Sequence, residues 1–313
     1  MNVFLPTIDR MAFLFSFIII GYLLVRLRIL DVSAAGVLSK LENKVFLPAM
    51  MMGTFLSSFT PARLAQSWWY FLAGFAFFAI AMPVGIFFAR RCVKEAYLRR
   101  IYTYGLVFSN FSFMGNAVVS AVFPELFAEY LIFTLPLLIM IQLWAIPALL
   151  IGGDGDKPSL LQSLKSLVNP MFIGMLIGMV LGLTGLPLPT FATSIVTDAG
   201  NCMSPIAMLL TGMTVAGIDI SEMLKIRSIW MVTLFRLLAF PLLGILLICL
   251  LPLPTTLEIC LLCALAMPLG LNTVVIPAAY GRDTSQAAAM ALVSHMLSCF
   301  SIPFVFLLLQ FAL

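Results

Sequence analysis

Apolar runs of about 20 residues alternate with short polar breaks along the chain, and a run of that length lets a helix cross the hydrocarbon core of a bilayer. Ten such runs are read, near 7–26, 37–58, 67–89, 101–123, 130–151, 169–187, 194–217, 227–251, 255–279 and 285–311. The pattern predicts an all-α polytopic membrane protein with ten transmembrane helices. Its halves echo each other. Gly21 recurs as Gly178, Pro48 as Pro205, and Asn116-Ala-Val-Val as Asn272-Thr-Val-Val, at an offset of 156 or 157 in a chain of 313 residues. Five spans per half is an odd number, so the second half enters the bilayer in the opposite sense. The expected layout is two inverted five-helix repeats, 1–151 and 167–313, joined by a cytoplasmic linker, 152–166, that opens on Gly152-Gly-Asp-Gly-Asp-Lys-Pro158.

Composition sharpens this reading. The chain is 63% hydrophobic and 10% charged, whereas a soluble domain carries roughly 25% charged residues. A single soluble core is excluded. The net charge of +4 could suggest an anionic polymer as partner, but 14 of the 17 lysines and arginines fall in or beside the loops that follow spans one, three, five, seven and nine. They read as topology determinants, with no nucleic-acid surface implied. The positive-inside rule then puts both termini outside, in a multi-pass protein of the plasma membrane. Ala12 to Val25 is read as a retained first helix, since no small-residue cleavage site follows it.

Two spans are interrupted. Span four reads TYGLVFSNFSFMGNAVVSAVFPE, with Asn110, Ser112 and the pair Gly115-Asn116 near its middle. Span nine reads LLCALAMPLGLNTVVIPAAYG, with Pro268, Gly270, Asn272, Thr273 and Pro277. Proline removes an amide and clashes with the preceding turn. In lipid the freed backbone groups need partners, so an unwound stretch must lie inside the protein or beside water. Half-helix N-termini present unpaired amides and a partial positive charge, which suits a carboxylate. Asn110, Gly115, Asn116, Pro268, Asn272 and Thr273 are therefore the candidate substrate-binding residues. Asn116 and Asn272, related by the repeat, would flank one site from opposite sides. The alternative is that the asparagines only mend the broken helices.

Other polar positions are candidates for coupling. Asn43, near Pro48 in span two, and Asp198 and Asn201, near Pro205 in span seven, could contact an ion or simply serve their helices. His295 in span ten could relay a proton, because an imidazole titrates near neutrality. It could equally be a neutral, hydrogen-bonded histidine. Arg236 in span eight could attract an anion, or anchor its helix by snorkelling to the cytoplasmic face. Every Asp and Glu lies at or near a span end, which weakens the case for a carboxylate proton relay. The stripe Gly174-x-x-x-Gly178-x-x-x-Gly182 allows close helix contact, within the chain or across a homodimer. Cys260-x-x-Cys263 stands without a second pair, so no metal is implied. No cofactor fingerprint or catalytic motif appears in a supporting context, and an enzyme is not expected.

At PLGLNTVVIPAAYGRD (268–283) and FSNFSFMGN (108–116), with FLPAMM (46–51), Asn201 to Gly212 and RLLAFPLLG (236–244), the sequence resembles the auxin efflux carrier family, over nearly its whole length. The resemblance implies crossed, broken helices four and nine around the substrate, with a scaffold and a transport domain each formed from both repeats. It carries the family's crossover asparagine and glycine onto Asn110 and Gly115, and its helix-nine features onto Pro268, Asn272 and Pro277. Plant relatives export the indole acid auxin; bacterial relatives are linked to malate, malonate and similar carboxylates. Many relatives continue helix four as glycine, an apolar residue, then proline, where this chain has Gly115-Asn116-Ala117. The expected function is secondary active or potential-driven transport of a small carboxylate, malate or malonate, with H+ or Na+ as the coupling ion and an elevator-type movement. The rival is a membrane sensor that binds an anion without moving it.

Overall fold

The computed structural model describes residues 4–151, 168–217 and 219–312. The expected linker, 152–166, lies outside the described residues. Helix α1 spans Phe4–Arg26. The second tract is α2 (Ala34–Leu41), a π-helical turn at Glu42–Phe46, and α3 (Leu47–Ser58). Then come α4 (Pro61–Cys92), α5 (Ala96–Val107), a second π turn at Phe111–Gly115, α6 (Asn116–Val122) and α7 (Phe127–Met140), which continues as a π-helix through Ile141–Ile151. Beyond the linker lie α8 (Pro170–Thr184), α9 (Thr190–Ala216), the short α10 (Ile220–Leu224) and α11 (Arg227–Leu234). A π turn at Phe235–Ala239 joins α11 to α12 (Phe240–Leu250). The chain ends in α13 (Thr255–Ala266), α14 (Asn272–Ala279) and α15 (Ser285–Ala312).

Among the described residues five tracts are long and apolar enough to cross a bilayer: Pro61–Cys92, Pro124–Ile151, Thr190–Ala216, Arg227–Leu250 and Ser285–Leu308. Leucine, isoleucine and phenylalanine side chains stay exposed along many helices, including Leu72, Ile80, Phe87, Leu246 and Phe300. Such surface is compatible with lipid and not with water. The chain is an all-α, multi-pass membrane protein seated in the bilayer.

Glycine decides how closely the helices approach. Gly21 on α1 lies against the carbonyl of Leu209 on α9, and a Cβ added there would collide with it. Gly178 on α8 lies the same way against the carbonyl of Met52 on α3. Gly174 meets the carbonyl of Pro48, and Gly182 meets those of Phe55 and Phe59. The glycine stripe of span six is thus used within the chain, against α3, where small residues allow backbone contact without a hydrophobic driving force. Helices α1, α3, α8 and α9 form one packed group. α4 packs against α5 and α7, α11 against α15, and α12 against α13.

Candidate functional site at the helix crossing

The fourth and ninth helical tracts break where proline, glycine and short polar residues make helix costly. α5 stops at Val107 and α13 at Ala266. Between the breaks Ser109 and Leu269 pair as an antiparallel bridge. The amide of Asn110 donates to the carbonyl of Pro268 at 2.8 Å. Gly270 makes the crossing possible, since a Cβ there would lie 2.7 Å from the carbonyl oxygen of Phe108. Ser109 Oγ donates to the Ala264 carbonyl at 2.7 Å. The two unwound segments thus satisfy part of each other's backbone, as a membrane interior requires.

Arg236 completes that accounting. Its side chain is 1% exposed. The guanidinium donates to Leu106 O at 3.1 Å, at the end of α5. It also donates to Ala264 O (2.6 Å), Leu265 O (3.1 Å) and Met267 O (3.0 Å), at the end of α13. One buried cation therefore caps the C-terminal ends of both half-helices, where the helix dipoles place negative partial charge. The π turn at Phe235–Ala239 carries this residue, in keeping with the placement of such turns at functional sites.

Beside the crossing lies a small cavity of about 10 Å³, room for about one water. Tyr104, Ser109, Asn110, Ser112, Gly270 and Asn272 form its polar lining. Asn272 Nδ2 donates to Tyr104 Oη at 2.7 Å. The side-chain oxygens of Asn110, Ser112 and Asn272 are buried and have no hydrogen-bond partner. Buried polar atoms are normally paired, and these three belong to residues that line the same small cavity. A second cavity, of about 430 Å³, shares Leu47 and Met171 with the first and is bordered by Lys40, Asn43, Lys44, Gln142, Asn169 and Tyr280. Its size suits a small organic molecule, and both lysines on its rim are exposed.

The sequence model of the family described as membrane transport protein (Mem_trans) matches residues 6–157 and 156–306, nearly the whole chain. The chain belongs to this family, that of the auxin efflux carriers. No curated protein matches it. As an auxin efflux carrier family member it is a membrane transport protein and not an enzyme.

In this carrier the residues singled out from sequence fall into three groups. Asn110, Gly270 and Asn272 line the crossing cavity. Pro268 supplies the carbonyl that Asn110 binds, and Thr273 Oγ1 donates to Gly270 O at 2.7 Å, closing its own break. Gly115 leaves room for Tyr130, whose hydroxyl donates to Phe111 O at 3.0 Å and pins the second π turn. Asn116 is not among the cavity's lining residues. It opens α6, half-buried, with its side-chain oxygen unpaired. The two breaks are unequal for a physical reason. Pro268 and Gly270 keep the second chain unwound through Leu271, whereas the first, lacking proline, recovers a π turn from Phe111 onwards. Asn272 therefore stands at its break, and Asn116 a full turn beyond.

The remaining residues are dispersed. Asn43 Nδ2 donates to Ser39 O at 2.9 Å and Val275 O at 3.4 Å, while Ser39 Oγ donates to Val275 O at 2.5 Å, so this pair ties α2 to α14. Asp198 and Asn201 are exposed on α9. His295 is bonded to Asn110. Arg236 does not snorkel; it reaches into the crossing. Two residues were missed. Tyr104 stands on α5, ahead of the polar stretch that marks the break. Glu42, in the charged start of span two, was not singled out; it is 0% exposed with both carboxylate oxygens unpartnered.

Proposed function

We propose that this protein is a secondary carrier of a small organic anion, malate, malonate or a similar carboxylate, across the plasma membrane. The observation that carries the reading is the crossing of the two broken helices, where Asn110, Ser112 and Asn272 bring amide and hydroxyl groups to one small cavity with a lysine-rimmed cavity beside it. The lysines draw the anion in, and the crossing replaces its water with fixed amides and hydroxyls.

The finer architecture belongs to the same proposal. Ten transmembrane helices form two inverted five-helix repeats, with both termini extracytoplasmic. The contact of Gly21 with Leu209 supports this. Adding 157 to Gly21 gives Gly178, subtracting 157 from Leu209 gives Met52, and those two residues also touch. A repeat related by a two-fold axis makes its contacts in such pairs. The group of α1, α3, α8 and α9 is then the scaffold, against which the crossing helices carry substrate in an elevator movement, as a monomer or a homodimer.

The test is uptake of labelled malate, malonate and indole-acetate into proteoliposomes, with sodium, pH and voltage gradients imposed separately. Saturable uptake of a dicarboxylate supports the carrier. Saturable binding without flux, across the whole panel, would favour an anion sensor instead.

A further inference from the structure

His295 is the chain's single histidine, 4% exposed on α15. Its Nδ1 lies 2.7 Å from the carbonyl oxygen of Ala291. A carbonyl only accepts, so Nδ1 carries the proton of the neutral ring and Nε2 is the acceptor. Nε2 stands 2.9 Å from Asn110 Nδ2, which donates to it. These two bonds fix the amide. Asn110 Oδ1 is turned away from the ring, buried and unpartnered, on a residue that lines the crossing cavity.

An unpaired acceptor is the wrong group to meet a carboxylate, whose oxygens are acceptors too. Protonation of Nε2 reverses the arrangement. The imidazolium donates from both nitrogens, so it bonds Asn110 only through Oδ1, and the amide must turn over. Nδ2 then faces the cavity with its N–H groups free to donate.

The surroundings leave the charge unbalanced. The space beside the ring is lined by Leu14, Phe15, Ile18, Met114 and Met208, with Cys299 its titratable neighbour. Among the charged groups on elements packed against α15, Arg236 is bound to carbonyls, Glu258 is buried on α13, and Asp9, Arg26, Asp198, Glu222 and Arg227 are exposed. Among the described residues none of them forms an ion pair with His295. A carboxylate bound at the crossing cavity would supply that counter-charge.

We propose that His295 is the proton-binding site of a proton–anion symporter, acting through Asn110, whose amide presents an acceptor to the cavity when the ring is neutral and a donor when it is protonated. The inference rests on the carrier reading above. Proton and anion bind together, so each raises the affinity for the other by the same factor. The anion-bound ring titrates at higher pH than the empty one. Affinity is thus full at low pH and falls about tenfold per pH unit between the two midpoints, one proton per anion.

With one histidine, tag-free protein labelled with 15N-histidine gives a single imidazole to follow by NMR in nanodiscs, with sodium malate, or malonate where malate is not carried, as the probe. The expected result is a neutral Nδ1–H ring without anion and a doubly protonated ring at saturation. Uptake by His295→Gln should be weaker and independent of pH, while Glu42→Gln keeps the pH dependence. A ring that stays neutral while uptake is saturable overturns the proposal and leaves the carrier standing. So does an Nε2–H tautomer in the empty protein, or uptake driven by sodium alone. Should no carboxylate of the panel move or bind, the carrier reading falls, and this proposal with it.

Discussion

Arg236 donates to the carbonyl of Leu106 across 130 residues of chain, and the same guanidinium holds three carbonyls at the end of the other half-helix. The two breaks are therefore one unit, fastened from behind by a single cation. Arg236→Met leaves those carbonyls without their donor in a dry interior, at a cost of about 1–3 kcal/mol for each acceptor left unsatisfied. Arg236→Lys keeps the charge but lacks the planar fork, so it should recover only part of the loss. Thermal unfolding in detergent orders the three proteins as Arg, Lys, Met.

Gly21 and Gly178 should be equally intolerant of size. Valine at either one pushes a side chain into a backbone carbonyl, an overpacking cost of about 1–3 kcal/mol where the helices can yield and more where they cannot. Similar falls in melting temperature for Gly21→Val and Gly178→Val are the expected outcome. A large loss in one alone would contradict the two-fold relation between their contacts.

Asn110 and Asn272 line the cavity and Asn116 does not. Malate uptake at limiting concentration should fall tenfold or more, equivalent to about 1.4 kcal/mol, in Asn110→Ala and Asn272→Ala, and less in Asn116→Ala. Equal losses at all three would mean that the first half-helix also turns Asn116 to the substrate during transport.

Glu42 carries two unpaired carboxylate oxygens at full burial, and burying a polar group without a partner costs stability. Glu42→Gln preserves shape and removes the desolvation cost, so melting should stay level or rise. A marked fall would indicate that the carboxylate is charged and partnered in the folded protein.

Lys40 and Lys44 rim the larger cavity from exposed positions. Replacing both with glutamine should raise the KM for malate and leave maximal velocity near native. The native protein's KM should rise with salt, and that sensitivity should shrink in the variant, because exposed charges act through a screened field.

Much of this fold was legible in sequence because lipid imposes length and apolarity directly, and the helices begin and end near the expected breaks. Pro268, Gly270 and Asn110 announced their interruptions by backbone chemistry alone. The partner of Arg236 was not legible, since four carbonyls on two distant helices leave no trace in local pattern. The burial of Glu42 was legible only in part. A charged helix start in an apolar chain belongs at a protein interior or an aqueous vestibule, and the packing of its turn against α9, α8 and α14 decides for the interior. The inequality of the two breaks needed the backbone itself, because repeat alignment pairs Asn116 with Asn272 regardless of where each helix resumes.

The most direct test of the central claim is at Ser112, on the crossing cavity. With the six native cysteines replaced, Ser112→Cys is exposed in proteoliposomes to a small, membrane-impermeant thiol reagent added from one side and then from the other. The account predicts labelling from both sides, as the site alternates, and protection by malate at the concentrations that saturate its uptake. Labelling from neither side, or labelling that saturating malate leaves unchanged, would contradict a substrate site at the crossing.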